Sequence, residues 1–234
     1  MPLTLPGAIV LFLLLHFPLA AQTNLSDPGI PGSEKIIYLE NNSGTYTQLV
    51  VEAKRVVLEG RPMIEVLNRS PTMEARMLID PSIMLCISLE TLNRYQDAVI
   101  RRTSTITDIS YRAAPGEIVL TDLTSIYYAL RGFPWQELKT VKLHFLGTDA
   151  GTGATAGYSL DLRLIGKEEI TVGGKRWLCW KLEMGLGGIL GALFRKSVFW
   201  YSVDPPCIMV RFEGQQGPPG TPLKIIELVS YTAQ

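Results

Sequence analysis

The feature that most constrains the fold is a set of strand-like segments in the C-terminal half that are apolar on both faces. In residues 176–184, leucines, a tryptophan and a methionine alternate with a second tryptophan and a cysteine. Residues 197–203 and 223–231 show the same two-sided pattern. An antiparallel sheet with one solvated face alternates more strictly between apolar and polar residues. We therefore expect both faces of these strands to be covered, one by a helix and the other by a second sheet, a rolled sheet or a ligand.

Strand patterns separated by turns also dominate the rest of the chain. Apolar and polar residues alternate most cleanly at residues 159–165, and Gly173-Gly174 indicates a tight hairpin turn. Further strands are predicted at residues 46–58, 63–67, 73–79, 138–146, 176–184, 197–203, 207–212 and 223–231. The predicted fold class is mainly β, a bent antiparallel sheet or open half-barrel with one or two helices packed against it.

One helix is predicted near the middle of the chain. Thr121 or Asp122 is suited to cap its start, and apolar residues at helical spacing follow. Gly132 is placed to end the helix, and Pro134 blocks its continuation. Residues 82–96 are compatible with a second helix or with another strand.

The first residues carry the pattern of an export signal. Residues 8–15 form an apolar run that is followed by a proline and two small alanines. A helix that spans a bilayer needs about 20 apolar residues, whereas this shorter run suits the core of a signal peptide. We predict a signal peptide at residues 1–21, a disordered leader at 22–34 and a single β-rich domain at 35–234. The alternative for the first segment is an uncleaved membrane anchor.

The charge balance argues against a nucleic-acid partner. The chain has 22 Lys+Arg and 22 Asp+Glu, so its formal net charge is +0. Proteins that bind nucleic acids normally show an excess or a stripe of basic residues, because they neutralise phosphates. No nucleic-acid partner is expected.

A series of short segments resembles the bacterial domain-of-unknown-function family numbered 3108. They occur in order as DLTSIYYALRGFP at 122–134, GKEEITVGG at 166–174, WLCWKL at 177–182, FWYSVD at 199–204 and ELVSY at 227–231. The resemblance extends over most of residues 35–232. It implies an exported protein with an open, bent antiparallel sheet around helices, similar to the fold of the periplasmic lipoprotein-localisation factors. It implies no reaction and no catalytic residue.

Catalysis has little support in the sequence. Once the export signal is removed, His144 is the only histidine, which excludes a site built from several histidines. His144 is expected to be an ordinary strand residue, and a Ser-His-Asp arrangement is the alternative. The chain lacks the G-x-S-x-G motif of a nucleophile elbow. We assign no catalytic residue, no metal and no cofactor, and the balance is against an enzyme.

The three cysteines are expected to be buried thiols. If the strands that contain and follow Cys179 pair in chain order, one strand separates it from Cys207. That spacing is about 9–10 Å, which is too long for a disulfide. A disulfide between Cys86 and either of the other two remains the alternative, because sequence does not fix connectivity.

A candidate ligand surface combines an aromatic group with a glycine-rich apolar stretch. Residues 185–191 read GLGGILG and carry no charge. They are interpreted either as an apolar lid or lip that contacts lipid or as a loop packed against the core. Aromatic residues inside a β shell are where a hydrophobic ligand would bind. The predicted ligand-binding residues are Trp177, Trp180, Trp200, Tyr201, Leu186, Ile189, Leu190 and Phe194.

The function that these patterns favour is non-enzymatic binding of a hydrophobic or amphipathic ligand, a lipid or an acyl chain, by a secreted protein of the periplasm. Peripheral membrane contact is a further hypothesis, because Arg195 and Lys196 follow the apolar stretch. One alternative is an interaction or scaffold protein of the cell envelope that uses exposed sheet edges. Another is a hydrolase with His144 as its base. No protein partner is identified.

Overall fold

The computed structural model describes residues 25–95, 98–105, 117–120, 124–148, 155–187, 195–215 and 221–234. They form a single 13-stranded sheet and one short helix. The strands are β1 (Ser33–Asn42), β2 (Thr45–Leu58), β3 (Arg61–Arg69), β4 (Met73–Asp80), β5 (Leu85–Tyr95), β6 (Ala98–Thr105), β7 (Glu117–Leu120), β8 (Thr140–Thr148), β9 (Thr155–Val172), β10 (Lys175–Gly185), β11 (Ser197–Ser202), β12 (Met209–Gln215) and β13 (Leu223–Ala233). The helix α1 (Ile126–Ala129) continues as a 3-10 turn (Leu130–Gly132). The predicted fold class is confirmed.

The sheet consists of two consecutive meanders that are joined by their first and last strands. Strands β1 to β6 lie side by side in chain order in one half, and β8 to β13 do so in the other. The halves meet where β1 pairs with β13. Neighbouring strands are antiparallel except β7, which pairs in parallel with β8. Because β7 also approaches β5, the sheet curls towards itself, yet its edge strands β6 and β7 do not pair with each other.

The core lies on the inner face of the sheet, beneath α1. Alternate residues of a strand project to opposite faces, so Ile64 and Val66 of β3 both point inwards, where they are fully buried. Phe199 and Tyr201 of β11 are buried in the same way. Removing an apolar side chain of this size from water contributes about 1.5–3 kcal/mol. One continuous apolar layer therefore joins both meanders.

The outer face of the C-terminal strands has no second layer, contrary to expectation. Val229 of β13 is 60% exposed. Trp200 is only 7% exposed because the charged ends of Lys181 and Arg211 lie 5.3 Å and 5.9 Å from the centre of its ring. Long cationic side chains cover apolar surface while their charges stay in water. Ion-paired side chains, rather than a second sheet or a ligand, cover this tryptophan.

The segment that precedes β1 packs against the fold. Leu25 and Ile30 are 2% and 3% exposed and belong to the core. The Ser26 backbone N–H donates a hydrogen bond to the Gly132 carbonyl over 3.0 Å. Residues 25–34 thus contact the fold, in a segment whose proline and glycine content predicts a disordered leader. Two apolar side chains of this segment thereby join the core.

The helix is shorter than its pattern predicts. Residues 124 and 125 form a bend, and α1 begins only at Ile126. Threonine, isoleucine and tyrosine are weak helix formers, which accounts for the short helix. Thr121 and Asp122 lie outside the described residues. The strand β5 (Leu85–Tyr95) confirms the strand alternative predicted for residues 82–96.

The predicted signal peptide also lies outside the described residues. Within the part of the chain that the structure describes, no helix has the length and apolar character needed to cross a membrane.

Candidate functional site

A cavity of about 560 Å³ lies between the inner face of the sheet and α1. Both meanders and the helix contribute to its wall. Apolar wall residues include Leu49 from β2, Leu160 from β9, Met184 from β10, Phe199 from β11, Phe212 from β12 and Ile226 from β13. A mostly apolar cavity of this volume is in the range of small-molecule sites.

Aromatic contacts hold α1 above β11 and β12. The ring of Tyr127 packs against those of Phe199 and Phe212, with centroid distances of 6.1 Å and 5.2 Å. The Tyr201 hydroxyl donates a hydrogen bond to the Tyr127 carbonyl over 3.0 Å. Because Tyr127, Phe199 and Phe212 all line the cavity, these contacts preform its apolar wall.

One end of the cavity is charged and open to solvent. Lys224 lies opposite Gly214 of β12 and Asn42 of β1, so it marks the same end of three neighbouring strands. Its ammonium is 3.0 Å from the Glu40 carboxylate. Arg195 lies just before β11 at this end and is exposed although it lines the cavity. We call this region the charged end.

Asn68 is a buried polar residue in the wall of the cavity. It is 8% exposed and lies on the inner face of β3 with Ile64 and Val66. Its Oδ1 atom accepts no hydrogen bond from the part of the chain that the structure describes. A buried acceptor without a donor costs about 1–3 kcal/mol. Asn68 also borders a second, smaller cavity of about 20 Å³, so it stands between the two.

A buried ion pair lies on the other side of the small cavity. The Arg131 Nη2 donates to the Glu34 Oε2 over 3.0 Å, and the Tyr128 hydroxyl donates to Oε1 over 2.7 Å. Burial alone would lower the pKa of Arg131, but the hydrogen bond and the charge of Glu34 outweigh it and raise that pKa. Burial, reinforced by the Glu34 carboxylate, raises the pKa of Tyr128. Arg131 therefore stays charged beside a neutral phenol, and its contact with Glu34 ties the 3-10 turn to β1.

The structure places one of the predicted ligand-binding residues on the cavity wall. Leu186 lies there, at 38% exposure, next to Gly185. The glycine-rich stretch therefore begins at the cavity. Ile189, Leu190 and Phe194 lie outside the described residues.

None of the four predicted aromatic residues lines the cavity. Tyr201 is fully buried beneath α1. Trp180 stacks on Trp135, with ring centroids 5.8 Å apart and planes at 5°. Trp177 is half-buried, and the Lys175 ammonium lies 3.9 Å from its ring centre.

Trp200 projects to the outer face, because Phe199 beside it faces the cavity. Its indole N–H donates to a Glu168 carboxylate oxygen over 3.0 Å. Hydrogen bonds from Lys181 and then from Trp200 lower the pKa of Glu168. This tryptophan is therefore held in a polar network on the side of the sheet away from the cavity.

His144 lies in β8 between two polar side chains. Its Nδ1 is 2.7 Å from the Ser159 Oγ in β9, and its Nε2 is 3.1 Å from a Glu117 carboxylate oxygen in β7. Leu143 and Phe145 face the core, so His144 projects to the outer face. Neither His144 nor Ser159 lines the cavity. The three side chains form a cross-strand polar cluster that is separate from it.

The three cysteines are buried thiols that form no disulfide, which agrees with the expectation. The Cys86 thiol donates to the Ser88 carbonyl over 3.3 Å. Burial, assisted by the Glu168 charge, raises the pKa of Cys179 to about 12. Burial also raises the pKa of Cys207. Thiols with raised pKa values are poor nucleophiles and metal ligands at neutral pH.

No protein-family model matches the chain, and no curated protein sequence matches it. Membership of the family numbered 3108 therefore stays a prediction.

Solved structures with a similar course of the chain come from several bacteria. A DUF1329 family protein from Desulfovibrio piger is 10% identical, with 88% of this chain and 87% of that chain covered and a TM-score of 0.32. A beta-barrel-like protein of the domain of unknown function DUF1849 from Brucella abortus is 9% identical, with coverage of 86% and 97% and a TM-score of 0.42. A LolA superfamily protein from Nitrosomonas europaea is 6% identical, with coverage of 90% and 89% and a TM-score of 0.24. At these values the likeness assigns neither a family nor a ligand.

Proposed function

We propose that this chain is an exported, non-enzymatic binding protein that holds a hydrophobic or amphipathic ligand, a lipid or an acyl chain, in the cavity beneath α1. The observation that carries this proposal is the cavity of about 560 Å³ itself. A close-packed protein core contains few voids larger than a water molecule. A space of this size with a largely apolar wall is suited to an apolar ligand.

The wall offers apolar surface that a ligand can cover. Leu49 and Leu160 are only partly buried and Leu186 is 38% exposed, and all three line the cavity. A ligand that removes apolar surface from water gains about 25 cal/mol per Å². An acyl chain has only such surface and is therefore a fitting occupant.

Export to the periplasm belongs to the same proposal and rests on the signal-peptide pattern of residues 1–21. Sequencing the N-terminus of the mature protein after expression in a Gram-negative host tests it. A mature N-terminus close to residue 22 supports export, whereas retention of residues 1–21 in the cytoplasm contradicts it.

Filling the cavity tests the binding proposal. Leu160 lines the cavity from β9, whereas Leu178 of β10 is 52% exposed and does not line it. Leu160→Trp places bulk inside the cavity, and Leu178→Trp makes the same chemical change outside it. We expect Leu160→Trp to weaken binding of the neutral probe N-phenylnaphthylamine by about tenfold or more, which corresponds to about 1.4 kcal/mol. The control variant should bind like the unmodified protein.

Native mass spectrometry of the gently purified protein adds a direct measurement. Co-purified lipid should be retained by the Leu178→Trp variant and reduced in the Leu160→Trp variant. An unmodified protein that binds no probe and carries no lipid contradicts the proposal.

Hydrolysis at His144 is a second candidate, because Ser159 and Glu117 lie within 2.7 Å and 3.1 Å of its two ring nitrogens. These are the residue types of a Ser-His-acid arrangement. Hydrolysis of short p-nitrophenyl esters by the unmodified protein and by Ser159→Ala tests it. Activity that disappears in the variant supports the hydrolase, and equal rates contradict it.

A further inference from the structure

We infer that the cavity selects an anionic amphiphile that also carries a hydrogen-bonding group, with its negative headgroup paired to Arg195 and the second polar group bound to Asn68. This inference rests on the proposed function and names the ligand class for the same cavity. The headgroup chemistry is a carboxylate or a phosphate monoester, and the second group is a hydroxyl or an amide.

The charges at the open end favour a negative headgroup. Lys224 is neutralised by Glu40 at 3.0 Å, and Lys196 is neutralised by Glu183 at 3.0 Å. Arg195, which lines the cavity together with Lys224, forms no ion pair with the described residues. Its guanidinium is therefore available to an anion, and its planar fork of donors matches carboxylate and phosphate oxygens.

The buried amide of Asn68 favours a second polar group on the ligand. Its Oδ1 lacks a donor in the described part of the chain although the residue is 8% exposed. Buried polar groups nearly always have a hydrogen-bond partner. A ligand hydroxyl or amide N–H that enters the cavity would supply this partner. A purely hydrocarbon chain would leave the acceptor unsatisfied and would bind less tightly.

The two polar positions lie apart along the sheet. Arg195 lies at the charged end, two residues before the start of β11 at Ser197. Asn68 is opposite Val51, which in turn is opposite Ile36 of β1. Glu40, at the charged end, is four residues after Ile36 in β1. At 3.3 Å per residue, the charged end is therefore about 13 Å along the strand direction from the level of Asn68. The apolar residues Phe199 and Phe212 complete the wall. This layout suits a headgroup at the opening and a second polar group deeper in the cavity.

The competing explanation is a structural water bound to Asn68. The adjoining small cavity of about 20 Å³ exceeds the roughly 10–15 Å³ that one water molecule requires. A water there would satisfy Asn68 without any ligand. Asn68 would then have no influence on ligand choice, and a binding experiment separates the two explanations.

Headgroup selection is tested by displacement of N-phenylnaphthylamine with three amphiphiles of equal chain length. Myristic acid and myristyl phosphate are anionic, whereas myristyl alcohol is neutral. We expect either anion to displace the probe at about two- to fivefold lower concentration than the alcohol, as for one solvent-exposed ion pair. Arg195→Gln should remove this preference, and Lys196→Gln, which removes the neighbouring cation, should keep it. Equal displacement by all three amphiphiles overturns the headgroup assignment, as does a preference that survives in Arg195→Gln.

The role of Asn68 is tested with hydroxylated chains. Two hydroxymyristic acids, one with its hydroxyl near the carboxyl and one with it near the middle of the chain, are compared with myristic acid. We expect at least one isomer to bind about two- to tenfold more tightly than myristic acid, the range for one added hydrogen bond. Asn68→Leu, which keeps the size of the side chain, should remove that gain, whereas Asn42→Leu at an exposed position should retain it.

The outcomes separate this inference from the proposed function. Failure of the neutral probe to bind the unmodified protein contradicts the cavity as a binding site altogether. Binding of the probe without any preference for a hydroxylated chain, or with a preference unchanged in Asn68→Leu, overturns the Asn68 assignment and leaves the binding function standing. Circular dichroism spectra of all variants establish that they are folded before affinities are compared.

Discussion

Arg131 and Glu34 form an ion pair that is sealed from solvent, with side-chain exposures of 1% and 0%. The guanidinium also donates a hydrogen bond to the Pro206 carbonyl over 3.0 Å. This pair joins the 3-10 turn after α1 to β1 in the middle of the sheet. The helix that bounds the cavity is therefore anchored by a charge pair as well as by apolar packing.

Breaking this pair should be costly. Arg131→Met leaves the Glu34 carboxylate buried without its partner, and we expect the free energy of unfolding to fall by about 3–5 kcal/mol. Urea denaturation followed by tryptophan fluorescence measures the change. Arg163→Met is the matched control, because Arg163 pairs with Glu183 at 3.0 Å on the surface, and its loss should cost less than about 1 kcal/mol.

Replacing both partners gives the complementary test. Glu34→Leu combined with Arg131→Met leaves no uncompensated charge, so it should be more stable than Arg131→Met alone. A double variant that is less stable than the single variant would contradict this account of the pair.

Gly132 is predicted to tolerate no side chain. A Cβ at this position would overlap the Ser26 carbonyl oxygen and would lie 2.8 Å from the Met84 Cγ. Because the first clash is with backbone, Gly132→Ala should destabilise the fold by about 1–3 kcal/mol or more. At Gly32 the nearest atom to a new Cβ is 3.6 Å away, so Gly32→Ala should have little effect. Thermal unfolding of the two variants measures the difference, and equal midpoints would refute the close approach.

The three thiols should be unreactive in the folded protein. All are buried, and burial raises the pKa of Cys179 to about 12, so little thiolate forms at neutral pH. Iodoacetamide at pH 8 should modify none of the cysteines in the native protein and all three in urea, as counted by mass spectrometry. Rapid modification of Cys179 without denaturant would show that it is exposed or activated.

Stability should fall at alkaline pH. Cys179 ionises at its ordinary pKa of 9.0 in the unfolded chain but only at about 12 in the folded chain. Burial also raises the pKa of Tyr128 and Tyr201 above 10.0. Above about pH 9 the unfolded state therefore binds fewer protons than the folded state, and its population grows as pH rises.

The stabilisation from these groups is complete below about pH 9 and is lost progressively towards pH 12. Urea midpoints measured from pH 7 to pH 11 should decline at the upper end. Constant midpoints across that range would mean that these groups are not protected by burial.

Strands and hairpin turns could be predicted from short sequence patterns. Alternation at residues 159–165 corresponds to part of β9, and Gly173 and Gly174 both adopt positive φ angles, 59° and 76°, in the β9–β10 hairpin. These features depend on neighbouring residues, so their physical causes are present in a short window of sequence.

Features that depend on distant strands could not be predicted in the same way. The Arg131–Glu34 pair requires two residues that are 97 positions apart. A large aromatic residue such as Trp200 is predicted to lie in the interior. In the structure it lies on the outer face, where Lys181 of β10 and Arg211 of β12 cover it. Strand order decides such contacts, and composition and periodicity do not reveal strand order.

Asn68 left a signal that sequence reasoning could have used. It follows Ile64 and Val66 at intervals of two, so strand periodicity already places it on their buried face. A polar residue in such a position indicates a bound water or a ligand. The candidate aromatic residues are larger and more apolar than Asn68, and these two properties are the more familiar signs of a binding surface.

The pairing of β1 with β13 determines when, during folding, the cavity can form. Within each meander, neighbouring strands are also neighbours in sequence, so their pairing needs only short loop closures. The β1–β13 junction, in contrast, joins strands that lie far apart in the sequence, and such distant contacts form slowly. Because Leu49 and Phe212 of the cavity wall belong to different meanders, the cavity wall is complete only once this junction has formed.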